Sequence, residues 1–300
     1  MTTTGKSLRS DKKTSRNTNN YRIRRVTRST LVYAFLLLLC VIIILPVGWM
    51  FAVALKPDRF PVFTIPPQWF PIEHWEWNNF IRLLTAPNRP FLRYTINTMI
   101  IVLGNIFGTI ISCSLVGFAF ARLKFRGRDF LFTVLIINML IPWQVLMIPQ
   151  FLMFHKIGWY GTYLPLILPS FLGNAFYILL IRQYMLTLPK ELEDAARIDG
   201  CNWFQTCWRV ILPLTKPVLT VVAVFVFLDE WGDLLGPLIY LDDGSKFTLA
   251  IGLANLATRD NPSLNLVIAA NLLIMIPPVL IYFFAQEKLI GGIASVGLKG

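Results

Sequence analysis

The sequence predicts an all-α protein that crosses a membrane six times. Three observations carry this expectation. Apolar residues make up 55% of the 300-residue chain and charged residues only 15%, against roughly 25% charged in an average soluble domain. The apolar residues gather into six long runs: Leu31–Leu55, Tyr94–Ala121, Phe130–Phe154, Trp159–Ile181, Val218–Leu241 and Leu264–Gln286. All 28 Lys and Arg lie outside those runs.

Each run has at least 23 residues, enough to cross about 30 Å of hydrocarbon as a helix. The mean hydropathy of +0.60 excludes a disordered chain, a disulfide scaffold and an ordinary cytosolic enzyme. The 23 Phe, 9 Trp and 9 Tyr suit interfacial belts, and Trp143, Trp159 and Tyr160 near run ends read as interface anchors. The first run follows a basic tail, but 25 apolar residues exceed a signal-peptide core and no A-x-A site follows. It reads as a retained span. Three parts result: a basic tail 1–30, a six-span region 31–286 and a tail 287–300. Thr2–Asn20, rich in Ser, Thr, Asn and Lys, reads as disordered. The proline-rich loop Lys56–Arg93 is expected to hold a short helix near Trp77–Leu84.

Charge placement sets the orientation. With the N-terminus in the cytoplasm, Met1–Thr30, Arg122–Asp129, Arg182–Pro217 and Glu287–Gly300 are inside and carry 20 basic residues, against 8 outside. Both termini are therefore expected in the cytoplasm. The net charge of +12 could point to nucleic acid. Its position beside the spans points instead to anionic headgroups of the lipid bilayer.

Chemical motifs are missing. There is no G-x-x-x-x-G-K-[ST] phosphate loop, no H-E-x-x-H and no G-x-S-x-G. The four Cys and two His match no zinc spacing. Catalytic residues, a metal site and a cofactor in this chain are thus not expected, nor is enzymatic activity. Only one run contains acids: Asp229, Glu230 and Asp233. A carboxylate at mid-membrane costs about 2.5–3.5 kcal/mol on insertion scales. These three should face protein or water, either lining a path or marking a helix break at Gly232, Gly236 and Pro237. Gly104, Gly108 and Ser112 recur every four residues as a packing stripe.

The loop Arg182–Pro217 is the longest inner loop. Thr187 is a candidate N-cap with Pro189 in the first turn. Glu191, Glu193 and Asp194 suit the positive end of a helix, and Gly200 suits a C′ stop. Asn202 would cap a second helix. There Trp203, Phe204, Cys207, Trp208 and Ile211 form an apolar stripe, ended by Pro213.

Asp194, Ala195, Ala196, Gly200, Val210, Leu212 and Pro213 resemble the EAA loop of binding-protein-dependent ABC importer permeases. Asp194 stands where Glu is usual and Val210 where Ile is usual. The stretch Leu188–Gly200 is similar to the carbohydrate subfamily of the maltose kind, as are Ile141-Pro142 through Pro149 and Arg182-Gln183. Trp231-Gly232-Asp233 with Pro237-Leu238-Ile239 resembles its W-N-D…P-L-I segment, with Gly232 in place of Asn. The end, Gly297-Leu298-Lys299-Gly300, resembles its G-x-K-G tail, and Glu287 sits where Arg is common. The likeness covers roughly residues 25–300.

The resemblance implies the ABC type I importer permease fold in the cell membrane of a prokaryote. It implies a path made with a second permease subunit in a heterodimer. Two ATPase subunits would bind ATP below, and an extracytoplasmic solute-binding protein would deliver a sugar or polyol. It also implies that Glu191, Glu193, Asp194, Ala195, Ala196 and Gly200 form the coupling surface for the ATPases, with Lys299 a weaker contact. The alternatives are a permease for an amino acid or peptide, a self-sufficient secondary carrier, or a membrane enzyme.

Overall fold

Proline and glycine decide where the apolar runs stop being regular helix. The structure is a computed structural model that describes residues 7–57, 69, 75–85, 90–258 and 263–297, with side chains from residue 26 to residue 288 within those ranges. Every regular element among the described residues is helical. The chain forms two units, 1–76 and 77–300. Unit one contains α1, Ser7–Ala54. Helix therefore starts at Ser7, inside the stretch expected to be disordered. The apolar run supplies the costly nucleus, and the polar residues extend it one hydrogen bond at a time.

Unit two begins with α2, Asn78–Thr85, where the short loop helix was expected. Next come α3, Phe91–Arg122, α4, Arg128–Asn138, and α5, Trp143–Lys156. The third apolar run is thus two helices, inclined at 96°. Pro142 lacks an N–H and disfavours helical backbone at Ile141. Leu140 and Ile141 make only short i→i−3 bonds, to Ile137 and Asn138.

The fourth run is broken as well. Helix α6, Leu164–Ile167, leads into a 3₁₀ turn, Leu168–Leu172, and then Gly173 at φ +91°. Helix α7, Ala175–Thr187, follows, capped by the Asn174 side chain. Then come α8, Glu191–Ile198, α9, Trp203–Thr206, a π turn at Cys207–Ile211, and α10, Leu212–Leu214. The fifth run comprises α11, Lys216–Trp231, and α12, Leu235–Tyr240. A 3₁₀ turn at Gly244–Lys246, α13, Leu249–Ala257, and α14, Leu264–Gly297, complete the order. Among the described residues four helical segments are long and apolar enough to cross a membrane, and the number reaches six if each of two bent pairs is one span.

Helix α3 is the central strut. It packs on α7, α11, α13 and the Leu168–Leu172 turn. A Cβ at Gly104 would sit 2.8 Å from Ile167, and one at Gly108 would strike Ser170 and Phe171. The small-residue stripe is therefore a packing surface, since lipid gives apolar helices no net drive to associate and close approach must supply the attraction. Toward the Arg122 end, Phe118, Ile181, Met185, Cys207, Ile211 and Val222 form one buried cluster. It joins α3, α7 and α11 to the loop.

Candidate functional site

Two places bring the singled-out residues together. The first is a cavity of about 930 Å³ walled by α3, α5, α7, α11 and the broken fourth run. Asp229, Glu230 and Asp233 all line it. Asp229 accepts from the Tyr177 hydroxyl at 2.8 Å. Asp233 lies beyond the end of α11, and its Oδ1 accepts from Leu235 N at 3.1 Å and Gly236 N at 3.3 Å. Asp233 thus lines the cavity and bonds the first N–H groups of α12 just past the helix break. Trp231 is buried, stacked on Phe227, and donates to Ile274 O at 2.9 Å, tying the end of α11 to α14.

The wall contains polar residues that the sequence reading missed: Asn105, Gln144, Gln150, Asn174 and Tyr177. Their signal was an uncharged polar side chain inside or beside an apolar run. Asn105 Nδ2 donates to Leu166 O at 3.0 Å, and Ser112 Oγ donates to Ser170 O at 2.8 Å. These bonds satisfy carbonyls that the helix break leaves free. Trp143, expected as an interface anchor, also lines the cavity. Trp159 instead stacks on Phe154 at 5.4 Å.

The second place is α8. Gly200 has φ +82°, its N–H bonds to Arg197 O, and Cys201 N–H bonds to Ala196 O. This is a Schellman stop, and it needs the left-handed backbone that glycine adopts freely. Asn202 and Gln205 form a capping box for α9. Thr187, expected as the N-cap, is instead the last residue of α7 and donates to Tyr184 O. Pro189 disfavours helical backbone at Leu188, which is extended and ends α7, and the new helix begins at Glu191.

The coupling candidates divide between two faces. Glu191, Asp194, Ala195 and Gly200 are exposed, whereas Glu193 and Ala196 are buried. Arg122 Nε lies 2.9 Å from Glu193 Oε1, with side chains 2% and 9% exposed. The Arg122 N–H does not point along that line, so the attraction is Coulombic. Arg122 Nη2 donates to Met185 O and Leu188 O. One cation thus pins the end of α7 and the inner face of α8 to the end of α3. Burial pushes the Glu193 carboxyl above the usual carboxylate range, while Arg122 and Arg197 pull it back. Arg197 itself sits 3.8 Å over the Trp203 ring, a contact between α8 and α9. Of the apolar stripe, Cys207 and Ile211 are buried, while Trp203, Phe204 and Trp208 stay exposed. Lys299 lies outside the described residues. Among the described residues, no three His, Cys, Asp or Glu side chains are grouped to hold a metal.

The family model described as the binding-protein-dependent transport system inner membrane component matches residues 113–293. The chain is similar to the arabinooligosaccharides transport system permease protein AraQ of Halalkalibacterium halodurans, 37% identical over 205 residues, 68% of this chain and 71% of that one. It is similar to the maltose/maltodextrin transport system permease protein MalG of Yersinia pestis, 28% identical over 287 residues, 91% and 95% of the two chains. Its fold matches a chain in the crystal structure of a bacterial ABC transporter involved in the import of the acidic polysaccharide alginate, with TM-score 0.74, 21% identity, and coverage of 89% and 96%.

Proposed function

This chain belongs to the binding-protein-dependent transport system inner membrane component family, and from that premise we propose that it forms half of the path through which an ABC importer moves a sugar or related polyol. The relatives named for arabinooligosaccharides and for maltose and maltodextrin support that solute class. The partners are a second permease subunit, two ATPase subunits that bind ATP, and an extracytoplasmic binding protein. The chain sits in the cell membrane of a prokaryote with both termini in the cytoplasm, a reading that the uneven placement of Lys and Arg between the loops supports. It performs no catalysis and holds no cofactor of its own.

The observation that carries the mechanism is α8. It is an acidic helix of eight residues, held from behind by Arg122 and ended by Gly200. Glu191, Asp194 and Ala195 face outward and meet the ATPase. The carboxylates pair with ATPase cations, and the small Ala195 side chain permits close approach. Glu193 and Ala196 face inward and serve docking rather than contact. When the ATPases close on ATP, α8 moves, and Arg122 passes the displacement to α3. Helix α3 also holds the broken fourth run through Asn105 and Ser112, so the cavity wall moves with it. Two discrete arrangements of packed helices give inward-open and outward-open states.

The test is purification of the native complex, identification of its subunits, and reconstitution with its binding protein in liposomes. ATP-driven uptake of an oligosaccharide is the expected result. Uptake by this chain alone, driven by an ion gradient, would refute the reading.

A further inference from the structure

We infer that this chain's half of the path is a charge filter that admits neutral and amine-bearing sugars and turns away anionic ones. The inference rests on the transport reading and goes beyond it to the solute's charge.

The cavity has a volume of about 930 Å³ and three carboxylates in its wall, with no Lys, Arg or His among the described residues that line it. The carboxylates differ in their bonding. Asp229 takes the Tyr177 hydroxyl, and Asp233 takes two backbone N–H groups. Glu230 has neither a hydrogen bond nor an ion pair among the described residues and is only half-buried. A second, independent feature marks the same wall as a place for a ligand. Tyr240 is 3% exposed, lines the cavity, and its hydroxyl has no hydrogen-bond partner among the described residues. Leaving a buried hydroxyl unpaired is unfavourable, and a solute hydroxyl beside it would supply the missing bond.

The chemistry that fits is a solute rich in O–H or N–H donors. Sugar hydroxyls donate to carboxylates, and a protonated amine adds Coulombic attraction. A uronate or a phosphorylated sugar meets a wall of carboxylates, and each of them that is ionised repels it more strongly at low dielectric than in water. Nothing in this wall offers such an anion a cation.

The experiment measures the field in the cavity without requiring transport. Gln144→Cys, on the α5 wall, is made in the assembled transporter. It is reacted with cationic and anionic methanethiosulfonates of similar size, and the rates are read at that peptide by mass spectrometry. Each rate is divided by the same reagent's rate with a free small thiol. The cationic reagent should be favoured on the order of 10-fold or more, as a cleft of one charge sign concentrates counter-ions. Adding Asp229→Asn, Glu230→Gln and Asp233→Asn should bring the ratio close to one. If the triple variant does not assemble, Glu230→Gln alone should lower the ratio, since its side chain holds no bond to lose.

A second arm measures protection of that thiol by maltose, glucosamine and glucuronate. Maltose and glucosamine should slow the labelling and glucuronate should not, until the acids are neutralised. A ratio near one with the acids intact, or equal protection by glucuronate and glucosamine, overturns the filter. Loss of ATP-driven sugar uptake by the parent complex would instead overturn the transport reading and leave the labelling ratio standing.

Discussion

Arg122→Met should release α8 from the helix bundle. In the structure Arg122 is almost fully buried and serves three partners: the Glu193 carboxylate and the carbonyls of Met185 and Leu188. Methionine keeps much of the volume and removes all three. Met185 O keeps its bond from Leu188 N at 3.2 Å, but Leu188 O loses its donor and Glu193 becomes an unpaired buried charge. Breaking a buried pair by removing one partner costs about 3–5 kcal/mol. The chain avoids part of that cost by letting α8 swing out, so the loss appears as local opening. At roughly 3 kcal/mol, amide exchange in 190–201 accelerates about 10²-fold, measured by hydrogen–deuterium exchange with mass spectrometry on the complex. Glu193→Gln leaves Arg122 its two carbonyls and should cost less, about 1.5–3 kcal/mol. Adding Glu193→Leu to Arg122→Met removes the stranded charge and should recover most of the loss, leaving about 1 kcal/mol for Leu188 O. Unchanged exchange in Arg122→Met, or a double variant looser than the single, would refute the latch.

Gly200→Val should strain the Schellman stop by about 1–3 kcal/mol, because φ +82° excludes a β-branched residue although the space around it is open. Coupled uptake should fall, with Gly200→Asn much milder; equal activity in both would show that the turn does not matter. Ala195→Trp, on the exposed face of α8, should abolish ATPase stimulation and loosen the ATPases in detergent without disturbing insertion, and a fully coupled variant would remove α8 as the contact. Gly108→Val should destabilise the bundle by about 1–3 kcal/mol through its clash with Ser170 and Phe171, read as a lower unfolding temperature in detergent. Ser10→Cys and Ser295→Cys should resist impermeant thiol reagents in sealed cells while Phe70→Cys reacts; labelling at 295 would break the topology.

The parts legible in the sequence were those governed by local rules. Six apolar runs marked most of the sequence of the segments that are long and apolar enough to cross a membrane. Gly200 and Asn202 announced the stop and start on either side of the turn, because a positive φ and a capping side chain depend on only a few neighbouring residues. What escaped depended on distant partners. Nothing within α8 says that Glu193 and Ala196 turn inward, since Arg122 lies in another helix. The bend at Pro142 was visible as a residue but hidden by the unbroken apolarity around it. In water an amphipathic period reveals which face is buried. In lipid both faces are apolar, so Tyr177 and Asn105 could not be assigned a direction from pattern alone.

That same physics explains why polar side chains build the cavity wall. Apolar burial in a bilayer gains little, because lipid tails are as apolar as leucine. A broken helix, however, frees carbonyls that water cannot reach, and each demands a donor. Asn105 supplies one to Leu166 O and Ser112 another to Ser170 O. Gly104 and Gly108 on the same face let the broken segment come close enough for those bonds to form. The break is what opens the cavity, so the residues that stabilise the break and those that shape the wall are neighbours by necessity. Removing either donor should therefore loosen the wall without emptying any hydrophobic core, and the loss should exceed what the missing side-chain volume alone would cost.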